Sequence, residues 1–545
     1  MNIGFKEDLI TEFKSDTKKL SDEIIIDSVV AFANTEGGNL YLGIENNGDI
    51  TGLHKEHSDP TSLAAFIANK TVPPVSVDTE ITDENYLIIK VPKIKSIVAS
   101  SSGKILRRRI KANGEPENVP MYPHEINTRL SDLSMLDYSS LPVPGAVYDD
   151  LDKTERERLR NIIRMYSGEK NLLELDDEEL DQALRIAVKT GQTLVPTFCG
   201  MLLIGRSDRV KELVPTEAAS FQVLQGTNVI MNEDIDGPML AAFEKIQTYM
   251  DARNSESEIE VGLFRIPVSD FDKRAFREAL INAFCHRDYT MLGRVRVLLD
   301  DDGLTISNPG GFIEGVNLKN LLTVEPHGRN PVLADALKRI GLAERTGRGI
   351  DRIFEGSLLY GKAIPDYSES TETIIKLFIP RSLPDITFTK MISEEQSRIG
   401  RALPINALLT LNELKRNRRC TITEISSNIH ISETKIKTTI EKLIEAGMIE
   451  ASGNGRGRHY MLSASFYRKA DKTAEYVRQK GISDIRFPEM IIKYAENNGG
   501  HITRKEAVNL LKVTEPQAYR LLKKMSLSGS LKLVVAGRYS YYTIK

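Results

Sequence analysis

Between Thr421 and Leu462 the chain alternates local signals that leave few folds open to it. Thr421-Ile422-Thr423-Glu424-Ile425 starts a helix, with a Thr cap and a Glu close behind. A turn at Ile429-His430-Ile431-Ser432 follows, and a second helix is expected over Glu433–Glu445, with Ile436, Ile440, Leu443 and Ile444 on one stripe. Gly447 ends it. Met448–Leu462 then reads as a hairpin whose tip, Gly453-Asn454-Gly455-Arg456-Gly457-Arg458, is glycine-rich and basic. The face away from the stripe offers Lys435, Lys437, Thr438 and Thr439. A similar order recurs at Thr503–Leu511, a turn at Lys512-Val513-Thr514-Glu515, a helix Pro516–Leu527 and a hairpin Leu531–Thr543 carrying Arg538.

Helix, turn, helix and basic hairpin resembles the winged helix-turn-helix family, in which the second helix enters the major groove and the wing meets phosphate. The resemblance implies DNA contacts from Lys435, Lys437, Arg456 and Arg458 in the first unit and from Arg538 in the second. Charge agrees. The whole chain holds 73 Lys and Arg against 76 Asp and Glu, but residues 401–545 alone hold 26 against 13. A basic third on an acidic body suits a polyanion partner. A helical dimerisation module is the competing reading of the same pattern.

A length of 545 residues implies several cores. Residues 1–130 read as mixed α/β: an amphipathic stretch Leu20–Asn34, a strand Asn39–Glu45, a strand Asn85–Val91 and a basic hairpin-like stretch Ile105–Ala112. Residues 131–265 form an acidic connector, helical around Thr154–Tyr166 and Asp176–Lys189, with a strand expected at Cys199–Ile204. Residues 266–385 return to α/β, and 386–465 and 466–545 are the two winged units. The three cysteines, Cys199, Cys285 and Cys420, lie far apart and give neither a disulfide framework nor a zinc spacing. No apolar run approaches a membrane span and Met1-Asn2-Ile3-Gly4 opens no signal peptide, so the cytoplasm is the expected location.

Arg274–Ala283 is a strong helix former that sets Glu278 and Asn282 on one face, four residues apart. A carboxylate that orients water beside an amide that holds Mg²⁺ suits nucleotide hydrolysis. Strands at Val295–Leu299 and Leu304–Ser307 lead into Asn308-Pro309-Gly310-Gly311-Phe312. Glu344-Arg345-Thr346-Gly347-Arg348-Gly349-Ile350 is a second glycine turn opening a helix, where backbone N–H groups can cradle phosphate.

This ordered set resembles the Bergerat-fold (GHKL) ATPases, and more closely the divergent subgroup in predicted ATP-binding transcriptional regulators. There a stretch like His327-Gly328-Arg329-Asn330-Pro331-Val332-Leu333 links the glycine turns. The resemblance implies ATP and Mg²⁺ as ligands. Glu278 would be the general base, Asn282 the Mg²⁺ ligand, Asn308 the residue facing adenine, Gly310 and Gly311 part of its turn, and Gly347 and Gly349 the phosphate lid. Asn308 stands where the family has an adenine-reading Asp. No P-loop pattern occurs, which excludes a P-loop helicase motor. His286-Arg287-Asp288 is no kinase loop, because the Asn expected five residues after the Asp is Gly293.

Glu7, Glu12-Phe13-Lys14, Ala31-Phe32-Ala33-Asn34-Thr35-Glu36-Gly37-Gly38 and Leu40-Tyr41-Leu42-Gly43-Ile44-Glu45 together resemble the AlbA-like domain of Schlafen proteins. Some of those are metal-dependent nucleases with three carboxylates, which would map to Glu7, Glu12 and Glu45. Lys14, Arg107, Arg108, Arg109 and Lys111 would meet phosphate with or without cleavage. The expected architecture is therefore multidomain α/β and α+β: an AlbA-like Schlafen domain, the connector, a Bergerat-type α/β sandwich and tandem winged helices. The function expected is that of an ATP-responsive DNA-binding transcriptional regulator, forming a homo-oligomer. The alternative is an ATP-controlled nuclease acting on DNA or RNA in phage defence, and a third is an oligomerising scaffold.

Overall fold

The computed structural model describes residues 4, 6–133, 135–261, 264–325, 327–344, 347–453, 458–464, 466, 487–511, 513, 515–536 and 539–544. Its amino-terminal part is a four-stranded sheet with helices against it. Strand β1 (Thr11–Lys14) runs parallel to β2 (Gly38–Leu42) across helix α1 (Asp22–Ala33). Helix α2 (Pro60–Lys70) and the antiparallel strands β3 (Asp78–Ile81) and β4 (Leu87–Val91) complete it in the order β1-β2-β4-β3. Ser21 caps α1 by accepting from the Ile24 N–H, and Ile25, Val29, Val30 and Phe32 bury its inner face. The Gly37-Gly38 pair is required sterically: a Cβ on Gly38 would lie 2.5 Å from the Ile10 carbonyl oxygen and 2.6 Å from the Phe32 ring. The basic stretch forms β5 (Leu106–Ile110), paired with β6 (Pro116–Pro120), before helix α3 (Pro123–Asp132).

The connector is a folded unit. Helices α4 (Lys153–Met165) and α5 (Asp177–Ala183) precede a hairpin of β7 (Ala187–Thr190) and β8 (Thr193–Pro196). The strand expected at Cys199–Ile204 is instead a fully buried helix, α6 (Phe198–Ile204), capped by the Thr197 hydroxyl on the Gly200 N–H. Strands β9 (Ala218–Gln225) and β10 (Asn228–Asp236) and helix α7 (Met239–Asp251) follow.

Helix α8 (Lys273–Cys285) leads to β11 (Val295–Leu299) and β12 (Gly303–Pro309), then α9 (Pro331–Arg339), α10 (Gly349–Leu358) and β13 (Ile374–Pro380). The five-stranded sheet has the order β10-β9-β11-β12-β13, with β9 parallel to β11 and the other pairs antiparallel. Phe221 stands opposite Val297, so the sheet crosses the expected boundary at residue 265.

Helices α11 (Ile386–Ile399), α12 (Ile405–Asn417), α13 (Ile422–Ile429) and α14 (Glu433–Glu445) precede the wing of β14 (Ile449–Ser452) and β15 (His459–Leu462). One continuous apolar core runs from Val143 to Phe466, so this first winged unit is packed onto the central body. The second has its own core. It comprises α15 (Phe487–Asn497), β16 (His501–Thr503), α16 (Arg504–Leu511), α17 (Glu515–Leu527), β17 (Leu531–Ala536) and β18 (Tyr539–Ile544). Among the described residues no helix is long and apolar enough to cross a membrane.

Candidate nucleotide site and nucleic-acid interface

Asp272 starts α8 by accepting from the Arg274 and Ala275 N–H groups. Glu278 is 6% exposed, and burial, then the like charge of Glu344, pushes its carboxyl up to about 7. The second glycine turn is packed against this helix face. A Cβ on Gly349 would lie 2.2 Å from Glu278 Oε1 and 3.5 Å from Asn282 Nδ2. The structure thus brings together Glu278, Asn282 and Gly349, with the start of α10 covering the pair. Helix α10 has no side-chain cap, and Gly347 adopts φ +75° just before it. Arg345 and Thr346 of that turn lie outside the described residues.

The first glycine turn is packed rather than open. Asn308 is buried and donates to the Pro309 carbonyl at 3.2 Å. A Cβ on Gly310 would lie 2.8 Å from Arg329 Nη1, and one on Gly311 would lie 2.4 Å from the Glu372 carbonyl oxygen. The stretch His327–Leu333 supplies the braces. Arg329 donates to the Gly311 carbonyl at 2.9 Å and pairs with Asp132 at 2.7 Å. Asn330 donates to the Cys285 and Arg287 carbonyls at the end of α8. Arg129, in α3, pairs with Glu314, so the helix that follows the β5–β6 hairpin grips the loop after the same turn.

From the far end of α10 a contact reaches the first winged unit: Asn412 of α12 donates to the Leu358 carbonyl at 3.0 Å. Lys415 of the same helix donates to the Gly361 carbonyl at 2.6 Å. The role of α10 as a bar between the glycine turn and α12 has no signature in local sequence.

In α14 the predicted stripe is buried at Ile436, Ile440 and Leu443, leaving Lys435 and Lys437 exposed on the other side. Arg458 lies over the Tyr460 ring at 5.6 Å, while Arg456 falls outside the described residues. The second unit repeats the Thr-Glu helix start at Thr503 and Glu506. Its α17 exposes Arg520, Lys523 and Lys524, and Arg504 lies 4.7 Å over the Tyr519 ring. The sequence signal for the three α17 cations is their spacing opposite buried Ala518, Leu522 and Met525; Arg504, in α16, carries no such signal. Arg538 lies outside the described residues.

The amino-terminal charges are arranged differently from expectation. Arg108, expected on the surface against phosphate, is 3% exposed and spent internally. It donates to Glu12 at 2.8 Å and to the Asp8 and Thr11 carbonyls, and lies 4.7 Å over the Phe32 ring. Lys14 pairs with Glu12 at 2.7 Å, Arg107 with Glu125, Arg109 with Glu117 and Lys111 with Glu115. Glu7 accepts from the Phe13 N–H and Glu45 from the Thr51 hydroxyl. Among the described residues no group of three or more His, Cys, Asp or Glu side chains is placed to hold a metal ion.

Four stretches match family models. Residues 7–116 match Schlafen AlbA_2, and 128–219 match a domain of unknown function. Residues 293–377 match HATPase_c_4, the recG-like C-terminal model, and 405–450 match a winged helix-turn-helix DNA-binding model. Among solved structures, the DIP2311 protein from Corynebacterium diphtheriae is similar over 85% of this chain and 94% of its own, with 19% identity and a TM-score of 0.52. That likeness is one of fold. The mRNA-binding domain of elongation factor SelB from E. coli, in complex with SECIS RNA, matches 26% of this chain and 98% of its own at 10% identity, with a TM-score of 0.14, too low to bear on the fold. The chain therefore carries, in order, a Schlafen AlbA_2 domain, an ATPase-like HATPase_c_4 domain and a winged helix-turn-helix DNA-binding domain.

Proposed function

We propose that this protein is an ATP-responsive DNA-binding transcriptional regulator in which α10 carries the state of the nucleotide site to the first winged unit. The observation that carries the reading is the path Glu278/Asn282, Gly349, Leu358, Asn412, which runs from the candidate site to α12 without a gap. Glu278 and Asn282 have the chemistry for a Mg²⁺-bound triphosphate: a carboxylate to orient water and an amide oxygen for the metal. Both lie beneath the Gly349 backbone, so they become available only when the Gly347–Gly349 turn withdraws. Such a withdrawal moves the start of α10, whose other end is tied to Asn412. Packed helices have discrete arrangements rather than a continuum, so the turn and α10 act as a two-state element.

Lys435, Lys437 and Arg458 are the proposed contacts of the first unit, joined by Arg504, Arg520, Lys523 and Lys524 in the second. In the Schlafen domain we favour nucleic-acid contact without cleavage, because Glu12 is already neutralised by Arg108 and Lys14. The test is calorimetric titration of the full chain with Mg-ATP, beside the Asn282→Ala variant, and incubation of labelled DNA and tRNA with Mg²⁺ or Mn²⁺. The reading expects ATP binding that the variant loses and no cleavage. Undiminished binding by Asn282→Ala, or cleavage abolished by Glu12→Ala, overturns it.

A further inference from the structure

A cleft of about 450 Å³ lies between the ATPase-like body and the first winged unit. Glu278, Asn282 and Asn308 do not line it, but it borders the candidate nucleotide site, because Tyr367 of its wall lies within electrostatic reach of Glu278 and Phe354 belongs to α10. One wall is the loop at Leu318–Leu322 with Phe354 of α10 and Tyr367. The other is α12 and the end of α13, contributing Leu409 and Ile429. Its volume falls within the range of small-molecule sites, roughly 300–1,000 Å³.

The polar groups in it are unusual. Glu413 is 4% exposed, and both of its hydrogen bonds, from Asn417 at 2.5 Å and Asn428 at 2.6 Å, fall on Oε1. Among the described residues Oε2 accepts no hydrogen bond and no cation pairs with this carboxylate. Oε2 keeps solvent contact at the cleft, so it is an acceptor that a donor on an occupant can reach. On the rim, Lys319 and Arg416 are exposed and make no ion pair among the described residues. The remaining acid of the lining, Asp366, is turned onto the Ser368 N–H and hydroxyl.

Such a cleft asks three things of an occupant. It needs a donor for Glu413 Oε2 that is not flanked by carbonyl oxygens, a flat body for the apolar and aromatic walls, and an acidic group for Lys319 and Arg416. An exocyclic amino group is such a donor; a uracil imide N–H is not. We propose that the cleft is a second, effector site for a small anionic molecule with a planar, amino-bearing ring, of the nucleoside monophosphate class. Its walls belong to both units, so an occupant holds the loop, α10 and the turn of the DNA-binding motif together.

The test is calorimetric titration of the full chain with AMP, GMP, CMP, UMP and inorganic phosphate. At least one of AMP, GMP and CMP is expected to bind about tenfold more tightly than UMP, which lacks the amino group, and than phosphate. Glu413→Gln keeps the Oε1 acceptor for both asparagines and is expected to weaken that binding about tenfold. The exposed Arg416→Ala, a variant with no buried contact to lose, is expected to weaken it several-fold, and Asn282→Ala to leave it unchanged. Absence of binding at millimolar concentration, equal binding of UMP, or binding untouched by both Glu413→Gln and Arg416→Ala overturns the proposal. Loss in Asn282→Ala also overturns it, by assigning the ligand to the other site.

Discussion

Replacing Glu278 by Gln removes a charge that the folded protein holds at a disadvantage. Burial beneath the Gly349 backbone, with the like charge of Glu344 nearby, lifts this carboxyl to about 7 against an ordinary 4.5. The folded state therefore keeps a proton that the unfolded chain has released, and the linkage has a definite sign. Stability contributed at this site is full below about pH 4.5 and falls as pH rises through about 7. A displacement of that size is worth about 3 kcal/mol once both states are ionised. The amide is isosteric, keeps an oxygen to accept from the Glu344 N–H, and does not ionise. The variant is therefore expected to match the parent near pH 4 and to exceed it by about 2–3 kcal/mol near pH 8. Glu217, also buried and pushed up to about 8, slopes the same way in both proteins and cancels in the comparison. Urea unfolding of parent and variant at the two pH values, followed by a probe in the central body, reads the difference. Equal stability at pH 8, or a variant that is less stable there, refutes the placement of Glu278 in a dry, like-charged environment.

Arg108→Ala strips the buried cation from Glu12 and leaves the Asp8 and Thr11 carbonyls without donors, so the amino-terminal domain is expected to lose about 3–5 kcal/mol. Limited proteolysis within residues 1–130 would register it, and Arg108→Lys is not expected to rescue, because one ammonium cannot replace the fork. Lys435→Ala and Lys437→Ala are each expected to weaken binding to unrelated DNA sequences and to reduce the salt slope by about one, measured by fluorescence anisotropy across salt concentrations. Asn412→Ala removes the bond to Leu358 without touching Glu278 or Asn282. Its expected phenotype is normal ATP binding with a diminished response of DNA affinity to ATP.

How much of this was legible in the sequence depends on how local the cause is. Helix α14 falls on the predicted Glu433–Glu445, because a stripe of Ile and Leu and a following Gly act within a few turns. Helix α6 stands where a strand is expected, for a physical reason: a short run of apolar residues buried on every side has no periodicity to betray it. The Thr197 cap was the one clue available. The acidic connector concealed two strands of the main sheet, since the parallel pairing of Phe221 with Val297 joins segments far apart in sequence. At the candidate nucleotide site the pairing of Glu278 with Asn282 followed from helix geometry, but the packing of Gly349 onto both needed the tertiary fold. The run Arg107-Arg108-Arg109 looked like a phosphate-binding surface; alternation along β5 instead sends the middle guanidinium inward to Glu12.

In the proposed function the Glu278/Asn282 face communicates with the winged units. Anisotropy titration of a labelled duplex with the full chain, with and without saturating Mg-ATP, measures that communication directly. The expected result is an ATP-dependent change in DNA affinity of at least about fivefold, abolished by Asn282→Ala and reduced by Asn412→Ala. DNA affinity that is identical with and without Mg-ATP, while calorimetry records ATP bound, would contradict the account.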